Sequence, residues 1–411
     1  MKESHPGLSE ARDLRAGTVP WRAEDWRQRP ADPLPRRRVD VAILGAGIMG
    51  AILAERLSAR TAQVALFDRR PPGCGSTAAS TAEIMWAMDV PMIHLARTHG
   101  EAEAARRWKR VFAAVRGLAD RLDGQGIEGD RADRPTLYLA GSLLDERALS
   151  EEAVMHRRHG LPSRFHDGAA VAERFGISAR AAILSEGGFE VDPVRLTHAL
   201  LDRAASRGAT ISYPVDIAAL EPDGEGVLLA TADGRTVHAR NVILATGYER
   251  PRLFLPPAFG LMSTFVIATP PVTAPLWREN AMIWEASDPY LYVRTNREGR
   301  IIAGGEDVGQ SDEKARDAMI EARAGTIAAK LERLLGQGPI VIDRQWAATF
   351  GTSPDGLPAI GRSSLMPHVW LAAGYGGNGI AFAALAAELL EGELFGSSDP
   401  DAICFDPYRF G

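Results

Sequence analysis

The chain has 411 residues, of which 24% are charged, and a formal net charge of −6. This length exceeds what one simple core usually supports, so we expect two interleaved domains. The weakly acidic balance gives no reason to expect nucleic acid or an anionic membrane as a partner. Two cysteines, Cys74 and Cys404, suit a reducing compartment and cannot build a disulfide framework or a four-cysteine zinc site.

The N-terminal region and the apolar stretches limit the class of protein further. Residues 1–38 are polar and contain a run of three arginines, which is unlike a signal peptide. The least charged long stretch, Leu371–Leu390, is interrupted by glycines, as is typical of a turn feeding a buried helix. We therefore expect a cytoplasmic, globular protein with no stable membrane span. The nine histidines form no metal-binding cluster, so we expect no bound metal.

The first predicted elements form a dinucleotide-binding fingerprint. A buried strand beginning at Val39 leads into Gly45-x-Gly47-x-x-Gly50 and a helical pattern. Glycines in these positions permit a tight turn, a close approach of pyrophosphate to the backbone, and packing of the helix against the strand. A second strand ends at Asp68, where a carboxylate can accept hydrogen bonds from a ribose. This order predicts a dinucleotide at a helix N-terminus without deciding between NAD and FAD.

The elements that follow alternate in type along the chain. We expect residues 94–185 to be mainly helical. Asp192-Pro193 predicts an N-capped helix that ends near Gly208. A hairpin is predicted to turn on Asp233-Gly234, and a second hairpin around Asn296–Gly299.

Three remote segments share the features of one flavin site. Gly73–Thr81 is small and hydroxylic, Ala245-Thr246-Gly247 ends a hydrophobic strand, and Gly374–Gly379 precedes an apolar helix. Each segment alone could be a surface loop or a structural turn. Together they favour FAD, because an NAD domain usually keeps its binding elements contiguous.

The predicted fold class is α/β, or α+β overall, with a Rossmann-like FAD-binding domain and an inserted antiparallel-sheet substrate domain. Both domains are expected to be discontinuous, because nucleotide-site features recur after long intervening segments. The expected assignment is an N-terminal extension at 1–38, a FAD-binding domain at 39–93, 190–261 and 340–411, and a substrate domain at 94–189 and 262–339.

With these motifs the sequence resembles the FAD-dependent amine and amino-acid oxidoreductases, a family that includes glycine oxidase, sarcosine oxidase, D-amino-acid dehydrogenase and γ-glutamylputrescine oxidoreductase. The resemblance extends from about Val39 to Leu390, and its most specific piece is Asp355-Gly-Leu-Pro-Ala-Ile-Gly361 ahead of the glycine turn. The resemblance implies a flavin domain and an antiparallel-sheet substrate domain, with the substrate held over the flavin ring. The motifs and the resemblance give the expected cofactor contacts: Gly45, Gly47, Ile48, Met49, Gly50, Asp68, Arg69, Gly75, Ser76, Thr77, Ala79, Ser80, Thr81, Val215, Ala245, Thr246, Gly247, Gly351, Asp355, Gly374, Gly376, Gly377, Asn378 and Gly379.

The chain departs from this family where relatives bind a substrate carboxylate. Relatives similar to glycine oxidase carry arginines at the positions of Phe350 and Gly377, and sarcosine oxidases carry a lysine just after the turn, where this chain has Ile380-Ala381-Phe382. A small α-amino acid is therefore a doubtful substrate. The resemblance instead favours amines, or amino compounds with a remote acid group.

Arg294 is the predicted substitute anchor for such an acid group. Tyr290, Tyr292 and Arg294 lie on one face of a period-2 strand, which could line the substrate cavity. The alternative is a half-exposed sheet face with a solvated arginine. With Phe350 and Tyr375, these residues form the expected catalytic and substrate site. Met85, Trp86 and Met88 are further candidates for the cavity wall, with core packing as the alternative.

The resemblance also predicts the linkage and the chemistry. Covalent members attach the flavin at a position that is Ala79 here, so FAD is expected to be non-covalent. The implied reaction oxidises a C–N bond to an imine by hydride transfer to flavin N5, with O2 or a carrier as electron acceptor. Two alternatives stay open: a flavoenzyme that uses NAD(P)H, for which no second GxGxxG is found, and a non-catalytic FAD-binding protein.

Overall fold

The computed structural model describes residues 8–21, 29–61, 63–251, 253–272 and 277–411. Its strands are β1 (Arg15–Gly17), β2 (Val39–Leu44), β3 (Val64–Phe67), β4 (Glu83–Ile84), β5 (Ala132–Leu139), β6 (Ser163–His166), β7 (Ala182–Glu190), β8 (Thr210–Ser212), β9 (Ile217–Asp223), β10 (Gly226–Thr231), β11 (Thr236–Leu244), β12 (Gly260–Ala268), β13 (Met282–Glu285), β14 (Leu291–Thr295), β15 (Ile301–Val308), β16 (Arg344–Thr352), β17 (Ala359–Arg362) and β18 (Val369–Ala373). Its α-helices are α1 (Ile48–Leu57), α2 (Ser76–Ala79), α3 (Met92–His99), α4 (Glu101–Gln125), α5 (Glu146–Arg158), α6 (Gly168–Phe175), α7 (Pro193–Ser206), α8 (Glu313–Ala318), α9 (Ile320–Leu335) and α10 (Gly379–Phe395).

The first sheet has the arrangement of a nucleotide-binding domain. Its strands follow the order β17-β18-β11-β2-β3-β8. Strands β18, β11, β2, β3 and β8 run parallel to one another, and β17 is antiparallel to β18. The hairpin strands β9 and β10 extend from β11. Apolar residues of α1, α4, α7 and α10 pack together on one face of this sheet. The strands are apolar on both faces, as expected for a parallel sheet that is covered on both sides.

The second sheet is almost entirely antiparallel. Its order is β1-β16-β12-β15-β14-β13-β5-β7-β4, with β6 also paired to β7, and only β13 and β5 run parallel. One face packs against α9 through residues such as Leu291 and Val293. The alternation of side chains along the strands turns Tyr292 and Trp346 to the opposite face, toward α2 and the first sheet.

Several local predictions are confirmed. The carboxylate of Asp192 accepts hydrogen bonds from Val194 N and Arg195 N at 2.9 Å, so it caps α7 as expected. Strands β10 and β11 form the hairpin that turns on Asp233-Gly234, and β14 and β15 form the hairpin around 296–299.

Other local predictions are wrong or incomplete. The segment 94–185 contains β5, β6 and the start of β7 as well as helices. Strand β5 was missed because Asp133, Arg134 and Pro135 interrupt its apolar pattern, and its pairing with β7 and β13 overrides that weak local signal. Sheet membership also differs from the expected segments at three strands. Strand β4, from the expected FAD-binding segment 39–93, pairs with β7 in the antiparallel sheet. Strand β1, from the N-terminal extension, pairs with β16, and β16 lies in the antiparallel sheet although 340–411 was assigned to the FAD-binding segments.

Candidate active site

One cavity lies between the two sheets and receives residues from both. Its first end lies where β2, β3 and β11 end, at Gly45, Asp68 and Ala245. Ligands of doubly wound sheets bind at this carboxyl edge of the strands. The cavity encloses about 1740 Å³, its open mouth included.

The glycine fingerprint forms one wall through very close backbone packing. A Cβ at Gly50 would lie 1.8 Å from the carbonyl oxygen of Gly45, and a Cβ at Gly45 would lie 2.2 Å from that of Ala245. Gly45 also has a φ of +117°, which side-chain-bearing residues rarely adopt. These contacts bring the N-terminus of α1 to the cavity, where Gly47, Ile48 and Met49 line the wall as predicted.

Asp68 lies at the end of β3 and lines the same wall. Its two carboxylate oxygens accept hydrogen bonds from Ala46 N at 2.7 Å and Arg70 N at 2.8 Å. Burial raises the pKa of Asp68, although these two donors favour the ionised form. The carboxylate therefore links the glycine turn to the end of β3, and it faces the space in which the sequence predicts a ribose.

The small-residue segment around α2 crosses the cavity and is fixed from behind by two tryptophans. Trp346 donates its indole N–H to the carbonyl of Ala79 at 3.0 Å, and Trp21 donates to the carbonyl of Ser80 at 3.2 Å. The hydroxyl of Thr77 accepts a hydrogen bond from Ile48 N at 2.9 Å, which joins α2 to the start of α1. The two segments that the sequence separates by about 30 residues thus form one continuous surface.

Most of the predicted cofactor contacts line this cavity. Those that do are Gly45, Gly47, Ile48, Met49, Asp68, Arg69, Gly75, Ser76, Thr77, Ala79, Ser80, Thr81, Val215, Ala245, Thr246, Gly247, Gly377, Asn378 and Gly379.

Five predicted contacts lie behind the cavity wall instead. Gly50 packs against Gly45, as described above. At Gly351, Gly374 and Gly376 a Cβ would clash with neighbouring groups; at Gly374, for example, it would lie 2.5 Å from the Phe259 ring. The carboxylate of Asp355 accepts hydrogen bonds from Nε and Nη2 of Arg409, both at 2.8 Å. The family motif at Asp355 therefore stabilises the wall from outside, because its carboxylate is already fully occupied.

The N-terminal segment closes one side of the cavity, which its sequence did not indicate. Leu8, Ser9 and Leu14 line the cavity. The hydroxyl of Ser9 accepts a hydrogen bond from Arg69 at 2.8 Å, and the buried Glu249 pairs with the neighbouring Arg70 at 3.0 Å. These contacts place two arginines and their acidic partner at the Asp68 end of the cavity.

Aromatic side chains form the other end, which we call the inner end: Tyr248, Trp284, Tyr290, Tyr292, Phe350 and Tyr375. The sequence predicted four of them, and it missed Tyr248 and Trp284. The rings of Tyr248 and Tyr375 lie edge to face at 5.5 Å, and those of Tyr290 and Tyr292 lie 5.8 Å apart. Trp284 stacks on Tyr138 at 3.8 Å. Met85 also lines the cavity, whereas Trp86 and Met88 are buried in the core.

The prediction for Arg294 is wrong in position. Arg294 shares a strand face with Tyr292 but is 1% exposed and does not line the cavity. Its guanidinium donates to the carbonyls of Val191 at 2.9 Å and Ala82 at 3.4 Å, and lies 3.7 Å from the Glu190 carboxylate. The segment containing Ala82 separates it from the cavity, so the alternation that places Arg294 on the correct face does not bring it to the site.

Three acidic residues were also missed: Asp89 and Glu83, which line the inner end, and Asp307, which does not line the cavity but lies beside Tyr290. The carboxylate of Asp89 accepts a hydrogen bond from Gly377 N at 2.8 Å, and its pKa is raised by burial. Burial raises the pKa of Glu83 to about 8, against the opposing influence of Arg294, and that of Asp307, beside Tyr290, to about 6. The only sequence signal was the position of Asp89 directly after the Met85–Met88 segment that was considered for the wall.

Comparison with known proteins identifies the family that this geometry indicates. A profile of the family described as FAD dependent oxidoreductase matches residues 40–391. The chain belongs to this family. The predicted cofactor, FAD, and the predicted resemblance are both confirmed by this match. Among the helices of the described residues, none is long and apolar enough to cross a bilayer.

Individual relatives cover nearly the whole chain at low identity. Glycine oxidase from Geobacillus kaustophilus is 25% identical over 369 residues, which are 86% of this chain and 92% of that protein. Among solved structures, L-amino acid deaminase from Proteus myxofaciens has a TM-score of 0.77 at 15% identity, with 97% of this chain and 99% of that chain covered. Iminodiacetate oxidase from Chelativorans sp. BNC1 has a TM-score of 0.70 at 20% identity, with coverages of 89% and 98%. These two likenesses confirm the fold.

Proposed function

We propose that this FAD-dependent oxidoreductase oxidises a C–N bond of an amine to an imine. One observation carries the proposal: a single cavity joins the glycine turn that begins at Gly45 to a chamber lined by aromatic and acidic side chains. This chain is similar to glycine oxidase and to iminodiacetate oxidase, and the substrates in those two names support an amine or amino-acid derivative as the substrate class.

The proposed roles follow from where the residues lie. Gly47, Ile48 and Met49, at the N-terminus of α1, would lie against the diphosphate. Thr77 already accepts the N–H of Ile48, so the diphosphate would use the other N–H groups of this first turn. Asp68 would accept hydrogen bonds from the ribose. When bound, the flavin would supply the two-electron oxidation chemistry. The aromatic inner end would orient the amine and exclude water, which is the contribution of the protein to such a reaction.

We propose that FAD is bound without a covalent bond. Ala79 has no nucleophile to offer, and Cys404 is buried away from the cavity. Cys74 does line the cavity, but burial raises the pKa of its thiol and so disfavours the reactive thiolate. Precipitation with acid should leave the yellow colour in the supernatant. A yellow pellet would show a covalent bond, for which Cys74→Ala would be the first variant to examine.

Anaerobic mixing of the purified yellow protein with a panel of amines and amino acids tests the proposed reaction. Bleaching of the flavin band should accompany formation of an aldehyde or ketone and ammonia after hydrolysis of the imine. If the protein is an oxidase, air should restore the colour. If it is a dehydrogenase, the colour should return only after an artificial acceptor is added. Reduction by NADH or NADPH, with none by any amine, would contradict the proposal and favour the NAD(P)H-using alternative.

A further inference from the structure

The two ends of the cavity differ in their charged side chains: in the part of the wall that the structure describes, the Asp68 end has arginines paired with acids, and the inner end has acids alone. Among the described residues that line it, the only basic side chains are Arg69 and Arg70, and both lie at the Asp68 end beside Glu249. The inner end has no lysine, arginine or histidine in this described wall, but it has the carboxyl groups of Asp89 and Glu83. A substrate carboxylate would find no cationic partner in the wall there, and it would face Asp89.

Asp89 is the acid best placed to receive a ligand. Its side chain is accessible from the cavity, and Gly377 N is the hydrogen-bond partner that the structure gives it. No described cation lies within ion-pair distance of its carboxylate, and burial raises its pKa without a charged group to oppose the shift. A cationic ligand would remove this desolvation cost, because an ion pair favours the charged form of the carboxyl group.

The position of Asp89 is fixed by the turn before α10. Asn378 donates its side-chain N–H to the carbonyl of Ala87 at 2.7 Å, two residues before Asp89. A Cβ at Gly377 would lie 3.3 Å from the nearer Asp89 oxygen, so the absence of a side chain there leaves the carboxylate open. The segments 87–89 and 377–378, about 290 residues apart in sequence, thus fix the orientation of the Asp89 carboxylate at the cavity.

The aromatic rings supply the rest of a cation site. The faces of tyrosine and tryptophan rings attract cations, and the attraction is stronger where the cation is shielded from water. Tyr248 and Tyr290 line the same cavity as Asp89, and the hydroxyl of Tyr248 donates to the carbonyl of Gly376 at 3.4 Å, directly before the residue whose N–H holds Asp89. A carboxylate that opens into a cavity lined by tyrosines is suited to an alkylammonium group and unsuited to an anion.

We propose that the inner end binds the cationic nitrogen of an aliphatic diamine or polyamine, with Asp89 as its ion-pair partner, while a second, neutral amino group of the same molecule is oxidised. This inference rests on the proposed amine oxidation and names its substrate class. The carbon next to the reacting nitrogen gives a hydride equivalent to the flavin, and the nitrogen gives a proton to solvent. The resulting imine is hydrolysed to an aldehyde and ammonia, and the second nitrogen keeps its charge throughout.

Three matched substrates test the charge preference in the FAD-loaded enzyme. Butylamine, 1,4-diaminobutane and 4-aminobutanoate share one primary amine and differ in whether the far end is neutral, cationic or anionic. We expect kcat/KM for flavin reduction to be roughly ten- to a hundredfold higher for the diamine than for butylamine, as for a charge-assisted hydrogen bond. 4-Aminobutanoate should be the poorest of the three, because its carboxylate meets Asp89.

Asp89→Asn identifies the responsible residue, because asparagine keeps an acceptor for Gly377 N and removes the charge. The ratio of kcat/KM between diamine and butylamine should fall toward one in this variant. Asp120→Asn is the matched control, since Asp120 is 74% exposed on α4 and its loss changes net charge equally. It should leave the ratio at the wild-type value. Butyltrimethylammonium, which has no lone pair to oxidise, should bind at least tenfold more weakly to Asp89→Asn in a calorimetric titration.

The outcomes distinguish this inference from the reaction on which it rests. If no amine reduces the flavin, the proposed oxidation fails, and binding of butyltrimethylammonium that depends on Asp89 would still support the cation site. If butylamine or 4-aminobutanoate matches the diamine, the oxidation stands and the cation site is overturned. An unchanged ratio in Asp89→Asn would likewise overturn it.

Discussion

The two ends of the cavity are built in different ways. The dinucleotide end is formed mainly by backbone: glycines that let chains touch, a helix N-terminus, and carbonyls held by tryptophan indoles. The inner end is formed by side chains, namely six aromatic rings and the acids Asp89 and Glu83, which come from distant parts of the chain. A backbone cradle suits a cofactor that never changes, whereas side chains can be exchanged to suit a new substrate on the same fold.

The largest effect is expected at the backbone end, from Gly50→Ala. The new Cβ would lie 1.8 Å from the Gly45 carbonyl oxygen, so α1 must move away from the end of β2. We expect loss of FAD and a protein that is insoluble or melts far below the wild type. Gly325→Ala is the matched control in helix α9, where a Cβ meets nothing within 4 Å. It should keep FAD and gain stability by about 0.5–1 kcal/mol, since alanine is the better helix residue.

Thermal melts and the flavin content of the two purified variants give the comparison. Retention of FAD and a melting temperature near the wild-type value in Gly50→Ala would show that the cradle tolerates a side chain, and that the close packing is not what forms this end of the cavity.

A smaller effect is expected at Arg294, which the structure places outside the inner end. Arg294→Met leaves the buried Glu190 without one of its two guanidinium neighbours, and removing one partner of a buried pair typically costs about 3–5 kcal/mol. Unfolding in urea should therefore shift to lower concentration. The preference for cationic over anionic amines should stay as in the wild type.

Arg297→Met is the control for this variant, because Arg297 is 75% exposed and its pair with Asp130 contributes little. If Arg294→Met kept its stability and lost affinity for anionic amines, Arg294 would be a substrate anchor after all, and the division between the two ends would have to be redrawn.

The smallest effect concerns the dependence of stability on pH at Glu83. Burial raises the pKa of this carboxyl group from 4.5 to about 8, so the folded state holds a proton that the unfolded state releases. Stability should therefore fall as the pH rises from about 4.5 to about 8. Glu83→Gln cannot ionise, so its advantage in melting temperature over the wild type should grow across that interval.

Glu225→Gln, at an exposed turn, should show no such trend relative to the wild type. A Glu83→Gln variant that is less stable than the wild type throughout this pH range would mean that Glu83 is ionised and paired with Arg294, and that the inner end carries one more negative charge than we infer.

The difference between the two ends also explains what the sequence could predict. The backbone end depends on glycines at fixed spacing within short segments, so Gly45–Gly50, Asp68 and the α2 segment could all be recognised. The inner end depends on tertiary packing that brings Asp89 to Gly377 and Tyr248 to Tyr375, and no local pattern records such contacts. Strand alternation gave the correct face for Tyr292 and Arg294, but it could not show that the Ala82 segment lies between Arg294 and the cavity.

The most direct test is a crystal structure of the FAD-loaded protein with butyltrimethylammonium. We predict the diphosphate against Gly47 and Ile48, the ribose at Asp68, and the quaternary nitrogen at the inner end, between the Asp89 carboxylate and the rings of Tyr248 and Tyr290. A cation bound elsewhere, or an inner end that holds a chloride or other anion in its place, would contradict the division of this cavity into a backbone cradle for FAD and an acidic chamber for a cationic amine.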